Sequence, residues 1–281
     1  MNAALSITDL AERYLESEHV SLPVYPKVAT LVQEKARETN CSAAQLARVL
    51  AIDPVLSGQV MKAANSSFYG GLKTVDNVGD AIVRLGFTEV ASVAVMCAQR
   101  DLYRPADREA RTAMQKLWQH AVATAFAARW LALRLGFRDI AQDAFMAGLF
   151  HDVGKLGVLQ ALDTALADGD LPQPVPAGLR TELIDRLHPR LGARIIERWN
   201  LAPKFAKVAL EHHLETIDPA DTLLIIVRLA DLAAAKLGFD TTPLPEVSLS
   251  ATEEAALLQV NDVTLAEMLV KLEDGMRALG A

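Results

Sequence analysis

AFMAGLFHDVGKL, residues 144–156, decides how this chain is read. Seven apolar or small residues run into an imidazole and a carboxylate side by side, His151-Asp152, and a Gly-Lys turn is expected one residue later, at Gly154-Lys155. The apolar run reads as a buried helix. Burying an ionised carboxylate is costly unless a cation or hydrogen-bond donors compensate, so the pair predicts either a bound metal or a tight ion-pair network. The other histidines favour the metal. Of six, His120, His151, His188, His212 and His213 share one segment, and only His19 lies far upstream.

The 281 residues are 51% hydrophobic and 22% charged, which is enough apolar material for a sizeable core in a soluble chain. Alanine and leucine dominate, aromatics are 5% and β-branched alternation is scarce, so the chain reads as all-α. A net charge of −7 with acids and bases interspersed argues against a nucleic-acid surface. Cys41 and Cys97 are too few and too far apart for a disulfide framework or a thiolate zinc site. No basic leader precedes an apolar stretch, and no window approaches the ~20 charge-free residues of a spanning helix. The expectation is a cytoplasmic protein with no membrane partner.

Local signals divide the chain into helices. Ser6-Ile7-Thr8-Asp9 has the spacing of a capping box and opens a first helix, which Leu22-Pro23-Val24-Tyr25-Pro26 interrupts. A helix to about Asn40 follows, then a second capping box at Ser42-Ala43-Ala44-Gln45, and Asp53-Pro54 starts the next helix with a cap and a proline at its first position. Two short helices here also fit a helix-turn-helix. Residues 1–100, however, carry nine Lys/Arg against ten Asp/Glu, which leaves no basic recognition face. Further helices are expected over 76–85, 88–98, 107–135, 139–152, 156–166, 179–187, 190–199, 203–213 and 221–237, with a break at His188-Pro189 and a proline-rich loop over 168–178. Asp231 lies inside the apolar run of the last of these, where it also needs a partner. Beyond Pro243-Leu244-Pro245, helices near 252–260 and 264–279 carry Leu265, Met268, Leu269 and Leu272 on one face, read as core packing.

Several stretches together resemble the HDOD domain, the HD-related output domain of bacterial signalling proteins. They are Leu22-Pro-x-x-Pro26, Leu46-Ala47 through Asp53-Pro54-Val55-Leu56, Ala64-Asn65-Ser66 with Tyr69-Gly70, and Ala81-Ile82 with Leu85-Gly86. The resemblance implies an N-terminal helical subdomain over residues 1–104, packed on an HD-type helical bundle over 105–240, with a helical appendage over 241–281. Asn65 then has two readings, an ordinary turn residue or a lining of the interface with the second half.

The order His120, His151-Asp152, Asp231 is similar to the metal-ligand pattern of the HD superfamily. With His188, His212 and His213 it resembles the two-metal set of the HD-GYP phosphodiesterases, which cleave cyclic dinucleotides. The resemblance implies one or two divalent ions drawn from Fe, Mn, Ni, Zn and Mg. It also implies that Lys155 would meet a phosphate oxygen of a phosphate or nucleotide ligand if the protein were a hydrolase.

The departures point the other way. His213 is followed by Leu214-Glu215-Thr216-Ile217-Asp218-Pro219 with no Gly-Tyr-Pro segment, and Lys116 stands where some of those enzymes place a further acidic ligand. The expectation is therefore a non-catalytic regulatory protein with a metal-binding HD-like site and a protein partner in a signalling pathway. A metal-dependent phosphohydrolase is the alternative.

Overall fold

The computed structural model describes residues 13, 14, 17, 22–66, 69, 73–103, 108–169 and 175–279. Every regular element among them is helical, in agreement with the all-α reading. Residues 6–12 of the helix expected from Ser6 onward and residues 170–174 of the loop expected over 168–178 lie outside the described residues. The chain forms two compact units, residues 25–148 with 219–281 and residues 1–24 with 149–218. The division falls inside the 105–240 segment rather than at its ends.

The larger unit begins with helices α1 (Lys27–Arg37), α2 (Ala43–Leu50) and α3 (Pro54–Ala64). Their starts are chemically local. Ser42 and Gln45 cap α2 reciprocally, at 3.3 Å from Gln45 N to Ser42 Oγ and 2.8 Å from Ser42 N to Gln45 Oε1. Asp53 accepts from the amides of Val55 and Leu56 ahead of Pro54, which tethers the first turn of α3. Asn65 then closes α3 and turns its amide onto the backbone of Val75, giving and receiving one hydrogen bond of 2.9 Å each. Arg84 reinforces the turn by donating to the carbonyls of Ala64 and Lys73. The structure thus gives Asn65 a role within its own unit. Replacing it with alanine removes both bonds to Val75 and is expected to cost about 1–2 kcal/mol in denaturant unfolding.

Helices α4 (Val78–Leu85) and α5 (Phe87–Gln99) follow, joined by Gly86 at φ 81°. Then come α6 (Arg108–Arg134) and α7 (Ala141–Phe150), and beyond residue 218 the unit adds α11 (Thr222–Lys236), α12 (Glu253–Leu257) and α13 (Asp262–Leu279). Helix α6 packs along α11 and also meets α13. Its inward residues Ala121, Thr124, Ala125, Ala128 and Leu131 are small or branched, so neighbouring backbones approach closely. At the crossing of α6 and α7 a Cβ on Gly148 would lie 2.9 Å from the Ala125 backbone. Leu265, Met268 and Leu272 of α13 are buried, as their spacing predicts, and Met276 joins them.

One polar cluster lies within this core. Glu89, on α5, is only 2% exposed and pairs with Arg129 of α6, while the Tyr69 hydroxyl donates to its other oxygen. Burial raises the Glu89 carboxyl above its ordinary range, and Arg129 and Tyr69 work against that rise. The Arg129 guanidinium also lies 5.9 Å from the Tyr69 ring centroid. Among the described residues no single helix is long and apolar enough to cross a membrane. Helices α4 and α5 reach that composition only together, across a 112° bend, and α5 is buried on most sides.

The smaller unit holds α8 (Val153–Asp168), α9 (Ala177–Arg198) and α10 (Pro203–Glu211). Phe150 anchors it, fully buried with its ring edge-on to Trp199 at 5.6 Å and Phe205 at 6.5 Å. The Trp199 indole donates to the Pro23 carbonyl at 2.7 Å, which ties the proline segment to the C-terminal end of α9. The break expected at His188-Pro189 does not occur. Helix α9 is continuous over 22 residues with Pro189 inside it. A proline there forfeits one backbone bond, and packing of α9 along both α8 and α10 compensates for the loss.

Candidate metal centre

His151 and Asp152 form the link between α7 and α8, not the end of one long helix. Asp152 stands at the N-cap position of α8 but makes no cap hydrogen bond with its side chain. Its carboxylate is directed instead at the histidines of α9 and α10. Oδ1 lies 3.4 Å from His188 Nε2 and 3.4 Å from His212 Nε2, and those two nitrogens are 3.4 Å apart. Three potential ligand atoms thus form an equilateral triangle. Asp152, His188 and His212 are all buried.

Backbone bonds orient both rings. His188 Nδ1 lies 2.8 Å from the Ile184 carbonyl and His212 Nδ1 2.9 Å from that of Ala209. A carbonyl can only accept, so each Nδ1 carries a proton, and in the neutral ring the Nε2 lone pair points to the centre of the triangle. Burial, assisted by Lys155 and His212 and opposed by Asp152, pushes the His188 pKa down to about 3, so the ring is neutral at physiological pH. His213 is the exposed member of the group. Its ring is tilted over His212 at 4.0 Å between centroids, and one ligand atom from each of Asp152, His188, His212 and His213 lies within 4.8 Å of all the others.

The local sequence explains the approach. A Cβ on Gly154 would lie 1.9 Å from the His188 carbonyl oxygen and 2.6 Å from Gly192 N, so α8 and α9 meet backbone to backbone only because residue 154 is glycine. Gly157, one turn on, makes room for Leu191 and Ile195. The Gly-Lys that follows the His-Asp pair is in this way part of the site's construction. Lys155, on the first turn of α8, places its Nζ 2.6 Å from Asp152 Oδ2. His151 Nε2 lies 3.5 Å from the same oxygen, and the His151 ring stands edge-on to His212 at 5.1 Å.

Of the expected ligands, His151, Asp152, His188, His212 and His213 belong to the smaller unit, and His120 and Asp231 belong to the larger. In the larger unit His120 Nε2 lies 3.0 Å from Asp231 Oδ1, and Nδ1 lies 2.9 Å from the Phe239 carbonyl. Asp240 adds Oδ2 at 3.4 Å from His120 Nδ1. Asp240 was not among the expected residues; it follows the left-handed Gly238 that ends α11, and that turn is its one signal in the sequence. Lys116 is exposed on α6.

The donor triangle can be tested against a metal ion. A tetrahedral ion with bonds of ~2.1 Å places its ligand atoms about 3.4 Å apart, and two imidazoles with a carboxylate are a common divalent-metal donor set. The spacing of Asp152, His188 and His212 fits that requirement.

The chain matches the HDOD domain over residues 22–215. An uncharacterized protein of Treponema pallidum (strain Nichols) is 23% identical over 199 residues, which are 68% of this chain and 37% of that protein, so this chain spans little more than a third of the relative's length. Among solved structures, a protein of Shewanella amazonensis SB2B, provisionally described as a metal-dependent phosphohydrolase, superposes with a TM-score of 0.76 at 20% identity, covering 95% of this chain and 96% of that one. An HDOD domain protein of unknown function from Geobacter sulfurreducens gives 0.72 at 20% identity, with 97% and 96% covered. A protein of Marinobacter aquaeolei VT8, provisionally described in signal transduction, gives 0.64 at 20%, covering 98% of this chain and 64% of that one. At these identities the structural likeness establishes the fold. The sequence match spans more than half of the residues, and the chain belongs to the HDOD family.

Proposed function

We propose that this chain is a non-catalytic regulatory HDOD protein in which Asp152, His188 and His212, with His213 at the exposed side, hold a divalent metal ion that stabilises the 149–218 unit. The observation that carries this reading is the 3.4 Å triangle of inward-facing donor atoms. Three acceptors packed together in a buried space repel one another unless a cation lies among them. A divalent ion there would supply that charge. In the larger unit His120 and Asp231 form a second, smaller donor set for such an ion.

Two features support regulation over hydrolysis. The Lys155 ammonium is engaged by Asp152, whereas a phosphate-binding role would require it to turn to a substrate. The residues after His213 carry no Gly-Tyr-Pro segment. The output is then a change passed to a protein partner in a signalling pathway. The HDOD family and the signalling description of the Marinobacter structure support this partner class.

Metal analysis of protein prepared without a histidine tag tests the reading. Bound Mn, Fe, Ni or Zn is expected, with loss of metal in Asp152→Ala and His212→Ala. Removing the ion with a chelator should lower the melting temperature by about 5 °C, and readdition should restore it. A metal-free protein whose melting is indifferent to chelator overturns the proposal. So does Mn-dependent hydrolysis of cyclic di-GMP that Asp152→Ala abolishes, which favours the phosphohydrolase alternative.

A further inference from the structure

The charges on α10 run against the helix that carries them. Lys204 and Lys207 stand in its first half, Glu211 closes it and Glu215 lies just beyond. A helix dipole favours acids at the N-terminal end and cations at the C-terminal end, so this order works against α10 as an isolated element. Lys207 Nζ lies 3.8 Å from Glu211 Oε2, but the pair is open to solvent and has the lysine first, the weaker order at that spacing. Two leucines share the outer side. Leu210 is 44% exposed and Leu214 49%, one turn further on, while Phe205, Val208 and Ala209 turn inward.

We infer that this face of α10 is a docking surface for a second copy of the chain, paired antiparallel about a two-fold axis near Ala209 and Leu210. Lys207 then meets Glu211 of the other copy and Lys204 meets its Glu215, and each pair occurs twice, as a symmetric interface requires. The two Leu210 side chains come together at the axis, and Leu214 covers the aliphatic stem of the opposite Lys204. Pairing also brings the acids of each copy to the N-terminal end of the other copy's helix, where the dipole favours them. Exposed leucines alone need no partner. What marks this face is a charge order that is unfavourable within one chain and complementary between two. The six side chains lie outside the donor set of Asp152, His188, His212 and His213, so the pairing does not rest on a bound ion.

Sedimentation velocity of the full, tag-free chain from about 5 to about 300 μM tests the pairing. A shift from monomer to dimer is expected, with a Kd on the order of 10 μM, because the face is small for a stable interface. Leu210→Glu sets like charges at the axis and Lys207→Glu sets acid against acid, and each should raise Kd by about tenfold or more. Combining Lys207→Glu with Glu211→Lys reverses both charges and keeps them complementary, so Kd should return to within about threefold of the wild-type value. A folding defect cannot produce that recovery, and far-UV circular dichroism checks the helix content of every variant. A wild-type chain that stays monomeric over the whole range overturns the inference. So does a dimer whose Kd is unchanged in Leu210→Glu and Lys207→Glu, since its interface then lies elsewhere. A double variant no tighter than Lys207→Glu alone overturns the antiparallel pairing.

Discussion

Gly154→Ala is expected to destabilise the 149–218 unit by about 3 kcal/mol or more and to reduce its metal content together with its stability. The added methyl would sit 1.9 Å from the His188 carbonyl oxygen and 2.6 Å from Gly192 N. Neither atom is the end of a flexible side chain, so a helix axis must move. Any separation of α8 from α9 also moves His188 away from Asp152, and their present 3.4 Å leaves little tolerance for a shared ion. Gly178→Ala is the natural control. No atom lies within 4 Å of a Cβ at that position, near the start of α9, and alanine is the better helix former, so stability should hold or rise by up to about 1 kcal/mol. Thermal and denaturant unfolding of the two variants, with metal counted in each, decides the matter. Equal midpoints for Gly154→Ala and the wild type would sink the backbone-contact argument.

Arg129→Met is expected to cost about 3–5 kcal/mol at neutral pH, because it leaves the Glu89 carboxylate buried without its cation. The loss should depend on pH in a definite direction. Burial already raises the Glu89 carboxyl above its unfolded value, and removing the guanidinium, which works against that rise, raises it further. When the folded-state pKa is the higher one, the folded state binds the proton more tightly. Stability is then fully present below the ordinary glutamate range and falls as pH rises through the folded value. The variant should thus approach the wild type near pH 4 and fall behind it as the solution becomes neutral. Melting temperatures of both proteins from pH 4 to 8 provide the check; a constant gap between them would show that Arg129 acts through packing alone. Glu89→Gln in the variant should recover part of the loss at neutral pH, since the buried charge is gone.

What the sequence disclosed depended on the range of the interaction. The starts of α2 and α3 were legible because Ser42 with Gln45, and Asp53 with Pro54, act within one turn of helix. The histidines and the His151-Asp152 pair were legible because their chemistry is improbable in an apolar run. Pro189 was misread, since a helix breaker reports only on its own segment and the contacts of α9 with α8 and α10 lie outside it. Asp240 reaches His120 from 120 positions away, through the Gly238 turn, and no local pattern carries that closure. Glu89 is a different case. An acid inside the apolar run 88–98 is the same signal that drew attention to Asp231, and it calls for a buried partner, which the structure supplies as Arg129 and Tyr69.

The order of the chain through its two units bears on how the protein folds. Residues 149–218 are an excursion between the two parts of the larger unit, and the pairing of α6 with α11 closes it. Closing a floppy loop of that length costs roughly 4 kcal/mol in chain entropy, which must be met before the α6–α11 contacts return any gain. An excursion that collapses first draws its own ends together and lowers this barrier. Mutations that loosen the smaller unit should therefore slow the refolding of the larger one, even at positions with no neighbour in it.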